Sequence, residues 1–289
     1  MMGLQLDMKI LEKMLVDFVK TETLKSGFDK LVLGLSGGID SALSAFIGAK
    51  ALGKDNILGI MMPYKTSSKE SVEHAKLVID ALGIRSKLIE ITPMVDEYFK
   101  LEEKTEEKAK TPGEEIIKKE MTPIRKGNKM ARERMSILFD YSAKERALVL
   151  GTSNKTEMLL GYSTQFGDGA CSLNPLGDLY KNQIWALSEY MGVPKEIIQK
   201  KPSADLWEGQ TDENELGFSY ETADKILYKL MEERKSKDDL IREGFDQLIL
   251  EKIIKKIKLS QYKRKLPIIA KISSRTIDQE FRYPRDWGQ

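Results

Sequence analysis

The sequence predicts an α/β protein: a doubly wound parallel sheet followed by a mostly helical C-terminal part. Two observations carry this. Short, continuous apolar runs such as Leu31-Val32-Leu33-Gly34-Leu35 suit strands buried on both faces. Between them lie amphipathic stretches of helical period, so strand and helix alternate as in βαβ units with right-handed crossovers.

The elements follow in order. Ile10, Leu11, Met14, Leu15 and Phe18 recur at helical spacing and predict an opening helix that ends near Ser26-Gly27. The first strand then breaks at Ser36-Gly37-Gly38, and a second helix presents Ile39, Leu43, Phe46 and Ile47 on one face until Gly53 stops it. A second strand runs from Ile57 to Met62 and ends at Pro63. The next helix starts near Ser68, turns Val72, Ala75, Ile79 and Leu82 inward and stops at Gly83; His74 falls off that face and reads as a surface residue. A third strand is expected from Lys87 to Ile91. Residues 101–120 hold 12 charged residues in 20 and read as a mobile insertion. A long helix over Gly127 to Lys144 and a strand over Ala147 to Leu150 complete the core. After Tyr180 the pattern is mostly helical, with breaks at Gly192-Val193-Pro194 and Lys201-Pro202. The expected organisation is thus one domain over 1–289: an N-terminal helix in 1–30, an α/β core in 31–180 and a mostly helical part in 181–289.

Composition limits the chemistry. Across 289 residues, 47 Lys and Arg face 45 Asp and Glu, which leaves no strong field for nucleic acid or an anionic membrane. One cysteine, Cys171, excludes an intrachain disulfide and a multi-thiolate zinc site, and it reads as a small, at least half-buried residue. One histidine, His74, argues against a Ser-His-Asp or Cys-His hydrolase. Catalysis should therefore rest on carboxylates, Lys, Arg, backbone amides and a hard cation. No apolar run reaches the ~18 residues of a membrane span, and the expected location is the cytoplasm.

The sharpest local feature is Gly34-Leu35-Ser36-Gly37-Gly38-Ile39-Asp40-Ser41, where a buried strand hands over to a helix. First-turn amides lack intrahelical partners, the helix dipole adds partial positive charge, and glycines let the backbone wrap an anion closely. A glycine turn that merely packs helix on strand would need neither the two serines nor the acid. A Walker A loop places a Lys at this point, whereas this loop has Asp40. A carboxylate beside phosphates makes sense with a bridging cation such as Mg2+. A cradle without lysine suits a departing pyrophosphate, so the bond broken would lie at the α-phosphate of ATP.

This loop resembles the pyrophosphate loop of the ATP pyrophosphatases of the adenine-nucleotide α-hydrolase superfamily, Rossmann-like enzymes that adenylate a substrate. Three further segments narrow the resemblance: Leu150 to Glu157 with Leu160 to Ala170, Asn174 to Lys181, and Lys201 to Trp207 with Gln210 to Glu213. In this order, over about residues 10–270, they are similar to the successive signatures of the ammonia-dependent NAD synthetase family. The resemblance implies a ligase that amidates deamido-NAD to NAD with ATP and ammonia through an adenylate, releasing AMP and pyrophosphate. It implies that Gly34 to Ser41, Thr152, Lys181 and Ser203 bind ATP and that Asp40 and Glu157 bind magnesium. Asp40 and Lys181 are the catalytic candidates, Lys181 facing the charge on the α-phosphate. Arg132, Gln165, Ser172, Tyr262 and Lys263 match positions that contact deamido-NAD. Many members have Lys, Asp and His where this chain has Gln165, Ser172 and Tyr262, a variant that resembles a second branch. The family implies a homodimer. The short lead before the first strand implies no glutaminase domain, hence free ammonia. The competing readings are another adenylating enzyme with this loop, such as a tRNA-modifying or amidotransferase synthetase subunit, and a non-catalytic ATP-binding sensor. A loop around Trp207 is expected to close over the site.

Overall fold

The computed structural model describes residues 6–108, 123–203, 211–264, 269–274 and 276. Helix α1 (Met8–Lys25) starts at Asp7, whose carboxylate accepts the Lys9 and Ile10 amides. Then come β1 (Leu31–Gly34), α2 (Ile39–Leu52), β2 (Ile57–Met61), α3 (Lys69–Leu82), β3 (Arg85–Leu88), α4 (Thr92–Lys108), α5 (Pro123–Glu145) and β4 (Leu148–Val149). The four strands form one parallel sheet in the order β3-β2-β1-β4. Leu31 pairs with both Ile57 and Leu148, and Leu58 with Arg85.

Alternate residues of the central strands serve opposite faces. Leu31, Leu33 and Ile57 pack with α1, α2 and α3, whereas Val32, Leu58, Ile60 and Val149 pack with α4 and α5. Both faces are covered, which is why these strands read as continuous apolar runs. Gly48 lets α2 lie close on the sheet: a Cβ there would come within 3.2 Å of Leu150 Cδ2.

The C-terminal part holds α6 (Lys155–Leu160), α7 (Lys181–Met191), α8 (Lys195–Gln199), α9 (Asp212–Leu216), α10 (Tyr220–Met231), α11 (Lys237–Arg242), α12 (Gln247–Leu259) and α13 (Gln261–Arg264). A third apolar core lies among α6, α9, α10, α11 and α12, and Trp185 of α7 packs against both this core and the first. No described helix is long and apolar enough to cross a membrane.

Four expectations need correction. His74 is buried at 8% exposure, because the buried line of α3 is Ser71, His74, Ala75 and Val78, with Val72, Ile79 and Leu82 at its flank. The third strand is Arg85–Leu88, exposed along its length; its polar side chains protect a sheet edge and hid it from a reading based on apolar runs. The apolar Ile89 and Ile91 only continue past β2, donating to Met61 and Pro63 carbonyls. On α1, Leu11 and Leu15 pack inward but Ile10, Met14 and Phe18 are exposed. Residues 101–108 belong to α4 rather than to an insertion, and 109–120 lie outside the described residues.

Ile47 of α2 is fully buried in the first core. Ile47→Ala should cost about 2–5 kcal/mol, from lost transfer energy and the cavity left behind. Urea unfolding should show a lower midpoint with an unchanged slope.

Candidate active site

The sheet order places β1 beside β4, with α2 on one face after β1 and α5 on the other before β4. Strand order reverses between these two strands, so a crevice opens at their carboxyl ends, where open α/β sheets bind ligands. A cavity of about 500 Å³ occupies that place.

One wall is the loop from Gly34 to Ser41. Gly37 has φ 76°, and a Cβ there would come within 2.0 Å of the Ser71 carbonyl oxygen, so only glycine lets the loop pass the start of α3. Leu35 donates its amide to Ile60, which extends the pairing with β2. The Ser41 hydroxyl donates to the Gly38 carbonyl at 2.9 Å and accepts the Ser36 amide, so it ties the loop shut. Leu35 and Ile39 bury their side chains and offer backbone. Gly38 caps α2 without a side chain, leaving the first-turn amides of that helix facing the cavity.

The floor is built from helix starts. Asp40 lies in the first turn of α2 and Glu157 in the first turn of α6. Lys181 opens α7 and is 2% exposed; its ammonium donates to Asp40 Oδ2 at 2.6 Å and to Glu157 Oε1 at 3.1 Å. Asn154, fully buried, caps α6 by accepting the Glu157 amide and donates its own amide to Asp40 Oδ1 at 2.8 Å. Burial works against the charge on Lys181, but Asp40 and Glu157 outweigh it and raise its pKa. The converse holds for Glu157, whose carboxyl burial pushes up to about 7 despite Lys181.

A third acid faces the same ammonium. Asp212, 4% exposed, accepts the hydroxyls of Tyr220 at 2.9 Å and Tyr162 at 3.1 Å, and burial raises its pKa. The Tyr220 ring lies 5.0 Å from the Lys181 ammonium. Three carboxylates thus answer to one lysine, and burial makes Glu157 and Asp212 hold their protons more tightly in spite of it.

This donor set fits a hard cation. Asp40 and Glu157 turn carboxylate oxygens to one place, where each meets the Lys181 ammonium, beside the loop of Gly34 to Ser41. Among the described residues no group of three His, Cys, Asp or Glu forms a cage made by protein alone. Two carboxylates with the remaining positions left to water and phosphate oxygens is the arrangement magnesium favours.

The other sequence-predicted residues divide. Thr152, Ser203 and Lys263 line the cavity, and the Lys263 ammonium donates to the Gly161 and Ser163 carbonyls. Burial lowers its pKa. Arg132, Gln165, Ser172 and Tyr262 do not line it: Arg132 is exposed and donates to the Gln165 carbonyl at 3.2 Å, Ser172 Oγ accepts the Val149 amide, and Tyr262 is half exposed. Asp205, Leu206, Trp207 and Gln210 lie outside the described residues, as does the loop expected to close over the site. Cys171 is half-buried, and burial pushes its thiol pKa up.

Sequence reasoning passed over Asn154, Asp212, Arg134, Lys200 and Lys256, all but Asn154 cavity-lining. Asn154 carried a signal: an Asn three residues before a Glu at a helix start is a capping box. Asp212 lay within a quoted motif, but only the fold turns it toward Lys181.

The sequence pattern of the family described as NAD synthase matches residues 11–267. An NH(3)-dependent NAD(+) synthetase of Fusobacterium nucleatum is 56% identical over 269 residues, covering 93% of this chain and 98% of that protein. Among solved structures, an NMN synthetase from Francisella tularensis superposes with a TM-score of 0.79 at 31% identity, covering 92% of this chain and 99% of the other. An NH3-dependent NAD synthetase from Campylobacter jejuni gives 0.74 at 32% identity, over 92% and 100%. With a matched segment that spans the cradle, the buried lysine and its two acids, the chain belongs to the NAD synthase family.

Proposed function

We propose that this protein is a ligase that amidates deamido-NAD to NAD, with ammonia as nitrogen donor and ATP split to AMP and pyrophosphate. The observation that carries this reading is the ammonium of Lys181, held between Asp40 and Glu157 beside an amide-lined anion cradle. The relative named for the same reaction supports it, since this chain spans 98% of that protein's length.

The substrate carboxylate attacks the α-phosphorus of ATP, and the bond to the bridging oxygen of pyrophosphate breaks. Ammonia then attacks the carbonyl of the mixed anhydride, and AMP departs. Gly34 to Ser41 hold the departing pyrophosphate through backbone amides and the Ser36 hydroxyl, with Thr152 and Ser203 also toward the nucleotide. Lys181, kept charged by its partners, faces the charge that develops at the α-phosphate. Asp40 and Glu157 would hold a magnesium ion, which supplies charge neutralisation for the phosphates when bound. The apolar side of the cavity, with Met61, Met135 and Leu138, keeps water from the anhydride. Lys263 belongs to the wall proposed for deamido-NAD, and Arg132, Gln165, Ser172 and Tyr262 are proposed contacts beyond it. No step uses an enzyme nucleophile, in keeping with a thiol whose pKa is raised. We further propose a cytoplasmic homodimer; the exposed apolar Ile10, Met14 and Phe18 of α1 support association.

The test incubates the protein with deamido-NAD, ATP, magnesium and either ammonium or glutamine, reading NAD with a coupled dehydrogenase. NAD and AMP should form with ammonium. ADP as the spent nucleotide, or a requirement for tRNA, would end the reading. The likeness to a structure named NMN synthetase makes the corresponding acid mononucleotide the competitor to run beside it.

Asp40→Ala should abolish AMP formation while leaving the circular dichroism unchanged. Lys181→Ala should lower kcat by about 100–1,000-fold, the scale of losing one charge-stabilising donor. Cys171→Ala should keep kcat within about threefold, and the native thiol should react slowly with a maleimide at pH 7 but quickly in denaturant.

A further inference from the structure

Glu157 and Lys181, which meet at 3.1 Å, stand on different helices. Glu157 follows Thr156 in α6, and Lys181 precedes Asn182 in α7. Below both lies Asp224 of α10, fully buried and absent from the cavity wall. Its Oδ1 accepts the Thr156 hydroxyl at 2.5 Å. Its Oδ2 accepts the Asn182 backbone amide at 2.7 Å and the Asn182 side-chain amide at 2.9 Å. Thr156 Oγ1 in turn accepts the Lys181 amide at 3.0 Å.

The start of α7 explains why this arrangement is needed. Its N-cap residue, Tyr180, sends its hydroxyl to Glu232 and cannot cap the helix. First-turn amides buried without a partner cost about 1–3 kcal/mol each. Here they are taken by a threonine of α6 and a carboxylate of α10. The start of α7 also gives partial positive charge to that carboxylate, which offsets part of its burial.

We propose that Asp224 is a positioning residue for the reaction: by capping α7 from α10 while gripping α6 through Thr156, it fixes the distance between Glu157 and Lys181. This rests on the ligase reading above. A carboxylate can serve all three donors at once, because both of its oxygens accept. An asparagine of the same shape has one accepting oxygen: its amino group would either meet the two Asn182 donors, or donate to Thr156 and leave that buried hydroxyl proton without its acceptor. The two helix starts could then shift, and displacements near 1 Å cost about 100-fold in rate. Lys263 of the deamido-NAD wall rests on the Gly161 and Ser163 carbonyls at and beyond the C-terminal end of α6, not on the helix starts that Asp224 holds.

The test compares Asp224→Asn, Thr156→Val and Thr156→Ser with the unaltered protein, with folding followed by circular dichroism and thermal melting. Asp224→Asn and Thr156→Val should each lower kcat by about 10–100-fold, the scale seen when groups behind a functional ligand are removed. KM for deamido-NAD should stay within about twofold, and Thr156→Ser, which keeps the hydroxyl, should retain kcat within about threefold. Full kcat in a folded Asp224→Asn or Thr156→Val protein would overturn the proposal. So would equal losses in Thr156→Ser and Thr156→Val, which would reduce the site to methyl packing. Should Asp224→Asn not fold, the two threonine variants decide alone. If the unaltered protein makes no NAD, the ligase reading falls and takes this proposal with it; if it makes NAD and the variants match it, only the proposal falls.

Discussion

A lysine ammonium taken out of water must be repaid by charge, or it loses its proton. Lys181 is 2% exposed and keeps its proton because Asp40 and Glu157 meet it at 2.6 and 3.1 Å. That single requirement constrains much of the molecule. It brings the loop after β1 and the helix after β4 to one point, and these strands can supply neighbouring loops only because they pair side by side at the reversal of strand order. Removing one partner would leave an uncompensated buried charge, worth about 3–5 kcal/mol in comparable pairs.

The site is made of helix beginnings. The starts of α2, α6 and α7 provide Asp40, Glu157 and Lys181, each within the first turn of its helix. Helix starts give two things at once: amides aimed outward and partial positive charge. Asn154 caps α6 and reaches Asp40 as well, so a local helix signal also joins two strand ends. The third core, between α6 and α10 to α12, holds this floor from below through residues such as Leu160, Tyr220 and Leu227.

What could be read from the sequence was local. The apolar runs of β1 and β2, the glycines that stop α2 and α3, and the strand-to-helix loop at Ser36 to Ser41 announce themselves within a few residues. Glu157 was singled out by the resemblance of Leu150 to Glu157 to a family segment, and the structure sets it on Lys181. What depended on distant partners was not. β3 is polar because it lies at a sheet edge, His74 is inward because it shares the buried line of α3 with Ala75 and Val78, and α1 is turned so that Val19 is buried with Leu11 while Ile10, Met14 and Phe18 face out. Asp212 and Asp224 are acids in stretches rich in charge. Nothing in their neighbours distinguishes them from solvated residues until the fold buries them against tyrosine hydroxyls and helix amides. The exposed placement of Arg132 and Tyr262 follows from α5 and α13, which present those positions away from the cavity.

Charge also explains why the reaction can proceed without a nucleophile. Burial, more than the neighbouring acids, makes Glu157 and Asp212 hold protons above their ordinary range, and Lys181 offsets only part of it. Under the proposed reading, a triphosphate with its cation would meet acids and helix amides that the fold has already oriented. The reorganisation that water would need at the α-phosphate is thereby done in the folding of the protein. A cysteine or histidine at this point would add a reactive group to a site whose intermediate is an anhydride. Cys171 instead packs behind the sheet against Gly151, where a Cβ would come within 2.6 Å of its sulfur.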